Sequence, residues 1–279
     1  MKAVVITGVS TGIGYAMAAD LSQCGYHVFG SVRRAEDAER VQAELGTGFT
    51  PLLFDVTDET GVATAVSQVA NHLGPNSLTA LINNAGVSVP GPLLHLSSQA
   101  LRQQLNINVV SVLYITQAFL PLLKSQQAPG RIINISSVSG RIVYPFMGAY
   151  AASKHALEAM SDALRRELFL YGIDVILIEP GTVRTPIVAK FGEQVAQFVK
   201  TDYGQFLTAL QDAVAERERT ALPVERVTAV IRTALETPNP KTRYPIPRKW
   251  LTGWVLPRLL PDRWFDKMVI RQLNKLRKR

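Results

Sequence analysis

Short apolar runs alternate with longer helical patterns along most of this chain. The runs occupy residues 3–7, 27–32, 51–56, 78–86, 131–137 and 174–180, and "TRYPIP" adds a last one at 242–247. Strands that are apolar at nearly every position must be covered on both faces. Because strands and helices alternate, the connections should be right-handed crossovers between parallel strands. The sequence therefore predicts an α/β fold with a doubly wound parallel sheet of about seven strands.

The 279 residues are enough for one large domain with an appendage. We predict a main domain over residues 1–247 and an extension over residues 248–279. The helical, apolar segment from about 186 to 222 interrupts the alternation directly after the carboxyl end of a strand. Open α/β sheets bind ligands at that edge, so this segment is the predicted substrate lid.

Cys24 is the only cysteine, which excludes an internal disulfide and favours a reducing compartment. We expect it to be a small, buried helix residue. The first predicted strand begins at Ala3 and leaves no room for a signal peptide, and no uninterrupted apolar run is long enough to span a membrane. A cytoplasmic location is therefore expected, and membrane association would have to come from the C-terminal extension.

The formal net charge of +8 is concentrated in that extension. Residues 248–279 carry ten Lys or Arg but only two acids, whereas residues 1–247 carry twenty of each sign. All three tryptophans, Trp250, Trp254 and Trp264, lie there too. Indole rings settle at membrane interfaces and basic side chains are attracted to anionic surfaces, which indicates peripheral membrane contact. The alternative is that the tryptophans cover the ligand mouth or a dimer contact. Nucleic-acid binding is disfavoured, because no basic stripe extends into the neutral body.

A glycine-rich turn, "TGVSTGIG" at 7–14, joins the first strand to the first helix. Glycines let the backbone approach a pyrophosphate, and the helix amides face its charge. The spacing differs from the G-x-G-x-x-G fingerprint, so a purely structural tight turn is the alternative. Asp55, "NNAG" (83–86) and "PGTVRTP" (180–186) follow other strands and should lie along the same edge of the sheet.

Tyr150 and Lys154 in "YAASK" are four residues apart and share one face of a helix. A nearby ammonium favours the ionised form of a phenol. The pair therefore indicates either proton transfer near neutral pH or an ordinary surface pair on an amphipathic helix.

Over about residues 1–247 the chain resembles the short-chain dehydrogenase/reductase family. The resemblance rests on "TGVSTGIG", "NNAG", "NINVVS", "NISS", "YAASK" and "PGTVRT", which occur in family-like order and spacing. It implies a Rossmann-type, dinucleotide-binding catalytic domain that transfers hydride between a nicotinamide and a carbonyl or alcohol carbon. "GPLLHLS" and "KTRYPIP" look most like the 17β-hydroxysteroid and retinol dehydrogenase branch.

The resemblance gives Tyr150 as the catalytic acid/base, Lys154 as its helper, Ser137 as the substrate-orienting serine and Asn108 as the asparagine that holds a water near the lysine. Ser136 and Asn106 are the rival candidates. For proton exchange near pH 7 the pKa of the phenol must fall by about 3 units, or ~4 kcal/mol. The Lys154 ammonium and an oxidised nicotinamide ring would both favour the phenolate. In reduction Tyr150 would donate its proton to the carbonyl oxygen, and in oxidation it would remove the alcohol proton.

The resemblance also implies a cofactor site along the carboxyl edge of the sheet. Its predicted members are Gly8, Ser10, Thr11, Gly12, Ile13, Gly14, Arg33, Arg34, Asp55, Val56, Asn84, Ala85, Gly86, Tyr150, Lys154, Pro180, Gly181, Val183 and Thr185. Asn83 could instead be a structural bridge between strands. Arginine accommodates a 2′-phosphate where an NAD-selecting enzyme places an acid. We therefore favour NADP(H) over NAD(H), with Arg33 the main contact and Ser31 or Arg34 secondary. Arginines at a solvated helix start are the alternative.

The predicted substrate pocket is apolar, with walls from Leu93, Val143, Phe146, Met147 and Ile187 around Ser137 and Tyr150. Such a pocket suits a bulky lipophilic alcohol, ketone or aldehyde. Arg141, Arg184 and Lys190 are the possible clamps for an anionic group. The four histidines lack metal-ligand spacing, so no metal is predicted.

Three hypotheses follow: an NADP(H)-dependent oxidoreductase of lipophilic, steroid- or retinoid-like substrates, a β-ketoacyl-carrier thioester reductase, and a non-catalytic dinucleotide sensor. The resemblance further implies a homodimer or homotetramer, formed through the helices that carry "NINVV" and "YAASK".

Overall fold

The computed structural model describes residues 2–124, 129–186, 190–212 and 218–277. The strands form one sheet in the order β3-β2-β1-β4-β5-β6-β7, and all neighbours are parallel. Their bounds are β1 (Ala3–Ile6), β2 (His27–Val32), β3 (Phe49–Leu53), β4 (Ala80–Asn83), β5 (Arg131–Ile135), β6 (Asp174–Pro180) and β7 (Arg243–Ile246). The doubly wound parallel sheet predicted from the apolar runs is confirmed.

Strand β3 begins two residues earlier than the predicted 51–56 and ends three residues earlier. Pro51 lies in its middle, which a central strand would not tolerate because proline has no N–H for the ladder. β3 is an edge strand, paired only with β2, and can therefore accommodate it. The shorter strand leaves Asp55 in the loop beyond its carboxyl end.

Helices cover both faces of the sheet. In chain order they are α1 (Gly12–Gln23), α2 (Ala35–Leu45), α3 (Glu59–Leu73), α4 (Ser98–Leu105), α5 (Ser111–Leu123), α6 (Gly148–Glu167), α7 (Phe191–Ala196), α8 (Gly204–Asp212), α9 (Val224–Glu236), α10 (Leu256–Leu259) and α11 (Asp262–Arg277). Apolar residues of α1, α2 and α9 fill one core with the sheet, and those of α3, α5 and α6 fill the other. Burial of both strand faces is what the continuous apolar runs require.

A π-helical turn, Asn106–Val110, joins α4 to α5 and makes Ser98–Leu123 one continuous helical stretch. Within the described residues, this stretch has the length and apolar composition of a membrane-crossing helix. Its α5 part, however, packs on the sheet through fully buried side chains such as Ile115 and Phe119. We therefore interpret it as a core helix of the domain.

The described parts of the predicted lid are helical, with α7 and α8 enclosing a third apolar cluster. This cluster, called the lid cluster below, contains Phe146, Val195, Phe198, Leu207 and Leu210. The segment returns to the sheet edge where Leu222 N–H donates to the Thr182 carbonyl at 2.8 Å. The C-terminal helix α11 packs against the same cluster through Leu273. The lid and the extension are thus in contact with each other.

Cys24 differs from expectation, because it is exposed rather than buried. It lies at the C-terminal cap of α1, where Arg232 approaches its Sγ at 3.1 Å. Because Cys24 is the cap residue and not part of α1, the helical spacing of the buried residues does not extend to it.

Candidate active site

A cleft of about 400 Å³ opens along the carboxyl edge of the sheet. Parallel strands bring their carboxyl ends to one edge, and the loops that follow them form the walls. Of the predicted cofactor residues, those lining the cleft are Gly8, Ser10, Thr11, Gly12, Ile13, Gly14, Arg33, Asp55, Val56, Asn84, Ala85, Gly86, Tyr150, Lys154, Pro180, Gly181, Val183 and Thr185. Arg34 is the one that does not line it.

The glycine-rich turn forms one wall of the cleft. Gly8 and Gly12 have φ values of +72° and +63°, which side-chain-bearing residues rarely adopt. A Cβ at Gly14 would lie 2.1 Å from the Gly8 carbonyl oxygen. The Asn84 amide donates to the carbonyls of Thr7 and Gly8 at 2.9 and 3.0 Å. The turn is therefore closely packed, and its exposed backbone faces the cleft.

Asn83 has a structural place beside this turn. Its side-chain amide donates to Asn134 Oδ1 at 2.9 Å and to Thr116 Oγ1 at 3.2 Å. Asn134 in turn donates to the hydroxyl of Ser161 at 2.8 Å. Asn83 thus bridges β4 to β5 and to α5, which agrees with the structural alternative for this residue.

Tyr150 is at the start of α6 and Ser137 follows β5, and both line the cleft. Burial raises the pKa of the Tyr150 phenol above its ordinary value, while a hydrogen bond from Ser137 acts in the opposite direction. Burial has the larger effect, so without further positive charge the phenol keeps its proton. This differs from the lowered pKa that proton exchange near neutral pH requires. Tyr150 is thereby prepared to act as a proton donor.

Lys154 lies one turn beyond Tyr150, and its Nζ is 5.8 Å from the centre of the phenol ring. The side chain is buried, and Nζ donates to the Ile135 carbonyl at 2.7 Å. Burial lowers the pKa of Lys154 to about 8, and Glu158 partly opposes that shift. The ammonium is therefore charged at neutral pH but close to its titration range.

The π-helical turn directs Asn108 inward, whereas Asn106 is exposed. The Asn108 amide donates to the Val87 carbonyl at 2.9 Å and to Ser153 Oγ at 3.0 Å, and its Oδ1 accepts from Val87 N–H at 2.9 Å. Asn108 does not line the cleft. Its side chain fixes the strand-end loop to the helix that carries Tyr150, and among the described residues its hydrogen bonds go to Val87 and Ser153 and not to Lys154.

The two serines of "NISS" differ in their hydrogen bonds. Ser137 Oγ accepts from Ser139 N–H at 3.1 Å and donates to the Pro180 carbonyl at 3.4 Å. Ser136 also lines the cleft, but its buried hydroxyl has no hydrogen-bond partner among the described residues. Of the two serines, Ser137 is the one that lowers the pKa of the Tyr150 phenol, against the larger effect of burial.

Arg33 and Arg34 have different surroundings. The Arg33 side chain is 73% exposed and lies 4.0 Å from Asp55 at the cleft rim. Hydrogen bonds from Thr57 keep the pKa of Asp55 below its usual value despite partial burial. Arg34 instead pairs with Asp37 at 2.9 Å in the first turn of α2. The prediction of a secondary cofactor contact at Arg34 is therefore not supported by its position.

Ser31 and Arg40 connect the second strand and α2 to the glycine-rich turn. The buried Ser31 hydroxyl accepts from Gly8 N–H at 2.9 Å, and Arg40 donates to the Ser10 carbonyl at 2.7 Å. Arg40 also pairs with Asp37 at 3.1 Å. Arg40 was not predicted as part of this region, because nothing in its helical pattern separates it from other surface arginines.

The predicted substrate residues are divided between the cleft and its surroundings. Met147 lines the cleft, as do Ser137 and Tyr150. Leu93 and Val143 are 60% and 50% exposed outside it, and Phe146 is buried in the lid cluster with a φ of +68°. The loops carrying these residues turn away from the cleft, which periodicity could not indicate. Ile187 lies outside the described residues.

Arg141, a candidate clamp for an anionic group, is not free for that role. Its Nε lies 3.5 Å from carboxylate oxygens of both Glu158 and Glu179. Arg184 and Lys190 are exposed.

Several cleft residues were not predicted. They are Val32, Phe54, Val87, Ser88, Ile107, Ile135, Val138, Ser139, Thr182 and Pro186. Most directly follow or precede predicted members in the chain, so extending each strand-end motif by two residues would have found them. Ile107 lies between the two asparagines of "NIN" and reaches the cleft through the π-helical turn.

The cleft fits a dinucleotide. Gly8, Gly12 and Gly14 line the cleft without side chains, so the backbone of the glycine-rich turn can approach a pyrophosphate there. Arg33 at one end and Lys154 at the other provide cations for the polar ends of such a ligand. Ser136 leaves a buried hydroxyl free for it.

Comparisons with known proteins agree with this architecture. The family model for short chain dehydrogenases matches residues 2–196. An NADPH-dependent 3-dehydrocapnine reductase from Ornithobacterium rhinotracheale is 42% identical over 279 residues, covering 99% of each chain. Human 17-beta-hydroxysteroid dehydrogenase type 6 is 31% identical over 255 residues, covering 87% of this chain and 80% of the relative. The crystal structure of a short-chain dehydrogenase from Streptomyces avermitilis superposes with a TM-score of 0.73 at 25% identity, covering 99% and 93%.

Proposed function

Since this chain belongs to the short-chain dehydrogenase family and is an oxidoreductase acting on CH–OH or C=O groups, we propose that it uses NADP(H) and interconverts a lipophilic ketone or aldehyde with its alcohol. The observation that carries the proposal is the convergence of Ser137, Tyr150 and Lys154 on the cleft beside the glycine-rich turn.

In this proposal Ser137 and Tyr150 hold the oxygen of the reacting carbonyl. Nicotinamide supplies the hydride when the cofactor is bound. Tyr150, whose pKa is raised by burial, donates its proton to the carbonyl oxygen as negative charge develops there. The Lys154 ammonium stabilises the resulting phenolate from the next turn of α6. In the oxidative direction the phenolate removes the alcohol proton.

The choice of NADP(H) is supported by Arg33. No carboxylate occupies Val32, the position where an acid would accept from a ribose 2′-hydroxyl. Within the described part of the chain Arg33 has one ion pair, with Asp55 at 4.0 Å, and its side chain is 73% exposed, which leaves it accessible to a 2′-phosphate. The relative from Ornithobacterium rhinotracheale is named as NADPH-dependent.

A lipophilic substrate is supported by the apolar surroundings of Tyr150. Met147 lines the cleft directly before the start of α6, and the lid cluster around Phe146 and Phe198 closes that side. Arg141, a partly exposed candidate clamp for an anionic group, is engaged by the carboxylates of Glu158 and Glu179. A relative that acts on 17-beta-hydroxysteroids is consistent with this class.

Two alternatives make different predictions. A β-ketoacyl-carrier thioester reductase would need the basic extension to attract an acidic carrier protein, and its activity would fall steeply with salt. A dinucleotide sensor would bind cofactor without turnover. A phenol in the cleft with the buried Lys154 ammonium 5.8 Å from its ring favours an enzyme, since a sensor has no use for a proton donor.

The test is oxidation of NADPH and of NADH by the purified protein with a panel of steroid ketones, retinal, simple aldehydes and a β-ketoacyl thioester. We expect turnover of a lipophilic carbonyl with NADPH. Tyr150→Phe serves as the blank, because it keeps the ring and removes only the proton that is transferred.

Turnover of the thioester alone would favour the carrier-protein alternative. Tight binding of a dinucleotide without turnover of any carbonyl would contradict the proposal and favour the sensor. Turnover that persists in Tyr150→Phe would refute the assignment of the proton donor.

A further inference from the structure

The outer side of helix α11 is basic and carries an exposed indole. Arg263, Lys267, Arg271 and Lys275 are spaced by four residues and form one stripe along the helix. All four are exposed, and none is in an ion pair within the described part of the chain. Trp264 and Ile270 lie on the same side, 67% and 54% exposed. We refer to these six residues as the basic face.

The opposite side of α11 is already covered. Phe265, Val269 and Leu273 follow the same four-residue spacing and are buried or partly buried. Leu273 packs against the lid cluster, and the Phe265 ring lies 5.9 Å from that of Tyr144. The helix is therefore held on the domain by its apolar side, and its orientation directs the basic face outward.

Charge and apolarity together identify what this face contacts. Single exposed apolar side chains are ordinary on a protein surface, but an indole and an isoleucine on the same side of a helix as four cations combine the two properties that bind helices to a membrane interface. At about 100° per residue, Asp262 and Asp266 fall to the side of α11 away from the stripe. A surface that is anionic and apolar at once is the interface of a lipid bilayer.

The segment before α11 also exposes apolar side chains. Trp250, Leu251 and Leu259 are exposed in it, and Arg258 lies over the ring of the buried Trp254 at 4.7 Å. Leu93, Leu94 and Val143 are exposed on the domain beside the start of α6. Leu93 lies beside Gly148 at the start of α6, and Tyr144, the residue after Val143, contacts Phe265 of α11.

We propose that the basic face of α11 docks the protein on an anionic lipid membrane, with the lid beside the bilayer surface. The cations contact lipid phosphates, and Trp264 inserts at the headgroup level. This interaction is a binding property of the extension and does not depend on the identity of the cofactor or the substrate.

The test is sedimentation of the full chain with vesicles of mixed phosphatidylglycerol and phosphatidylcholine, compared with pure phosphatidylcholine. We expect binding to the anionic vesicles that weakens with salt, and a blue shift of tryptophan emission that Trp264→Phe reduces. Near an anionic surface each basic residue contributes about 1 kcal/mol, so Lys267→Glu with Arg271→Glu should weaken binding at least ~10-fold.

The matched control is Arg226→Glu with Lys241→Glu, which has the same net charge but changes exposed cations of the main domain. It should bind vesicles like the unchanged chain. Both double variants should unfold at the same denaturant concentration as the unchanged chain and oxidise NADPH normally with a water-soluble carbonyl.

Equal loss of binding in the two double variants would overturn the proposal, because only net charge would then matter. So would absence of binding by the unchanged chain. A third result would also overturn it: the unchanged chain forms dimers and does not bind vesicles, and the α11 variant alone is monomeric. The basic face would then be an interface between two copies of this chain, and the membrane proposal would be wrong.

Discussion

The carboxylates of Glu158 and Glu179 share one guanidinium, with Arg243 Nε lying 3.1 Å from the former and 3.7 Å from the latter. Arg141 approaches both at 3.5 Å. Burial, reinforced by the charge of Glu158, raises the pKa of Glu179 to about 7. Glu158 lies one turn beyond Lys154, and Glu179 directly precedes Pro180 of the cleft wall. A buried charge cluster therefore connects the helix of Tyr150 to strand β6.

Protonation of Glu179 should make stability depend on pH. Because its pKa is raised from 4.5 in the unfolded chain to about 7, the folded protein holds a proton that the unfolded chain releases. The free energy of unfolding should therefore fall as pH rises through this window, by up to about 3 kcal/mol from this group. Urea unfolding across the window measures it.

Glu179→Gln removes the titration and keeps the shape of the side chain. From the acid to the neutral end of the window the unchanged chain should lose about 3 kcal/mol of unfolding free energy relative to the variant, because the variant lacks the titrating group. Parallel pH dependences of the two proteins would show that Glu179 does not hold the proton.

Tyr150→Phe should lower kcat for carbonyl reduction by about 10²- to 10⁴-fold, the usual effect of losing a general acid. The affinity for NADPH, measured by fluorescence titration, should change little, because the substitution keeps the ring that lines the cleft and removes the hydroxyl whose proton is transferred. A variant that also lost NADPH binding would indicate a collapsed cleft. The kcat of Ser137→Ala, compared with that of Tyr150→Phe, then separates the effect of orienting the carbonyl oxygen from the effect of donating the proton.

The reduction rate should fall in alkaline solution as Lys154 loses its charge. Because the pKa of Lys154 is lowered to about 8, kcat/KM should decrease as pH rises through about 8. Lys154→Arg stays charged, so its residual activity should lack this decrease. The same alkaline inflection in Lys154→Arg would assign it to another group.

Arg33→Ala should raise the KM for NADPH by about 10- to 100-fold and leave the KM for NADH nearly unchanged, because one charge-assisted contact to a 2′-phosphate is removed. Arg34→Ala is the matched control. Its guanidinium is paired with Asp37, so the ratio of the two KM values should stay constant. Equal effects of both substitutions would contradict a specific role for Arg33.

Gly14→Ala should destabilise the glycine-rich turn, since the added Cβ would lie 2.1 Å from the Gly8 carbonyl oxygen. Overpacking of this kind costs about 1–3 kcal/mol, and NADPH binding should be lost with the turn. Gly48→Ala, whose Cβ would have its nearest neighbour at 3.7 Å, should change neither the unfolding midpoint nor NADPH binding.

The sheet and the position of the cleft could be predicted because they depend on local patterns. Continuous apolar runs identify parallel strands, and parallel strands bring the residues that follow them to one edge. Tyr150 and Lys154 could be paired because helical spacing alone determines that they share a face.

Contacts that depend on the path of a loop could not be predicted in the same way. Phe146 adopts a φ of +68° and enters the lid cluster, and Leu93 turns outward, although both were expected to line the pocket. Arg34 resembles Arg33 in sequence, but its partner Asp37 is three residues away on a helix that begins between them. The pairing of Glu158 with Glu179 joins residues from two elements and has no sequence signal of its own.

The π-helical turn at Asn106–Val110 holds one residue more than an α-helical turn would, because its backbone hydrogen bonds join residues five apart instead of four. Deleting one residue there would close the turn to an ordinary α-helix and keep the facing of α4 and α5, so Ile115 and Phe119 would stay in the core. What would change is the local backbone that places Asn108 against the strand-end loop of Val87. The extra residue therefore belongs to the site and not to the packing of the helix.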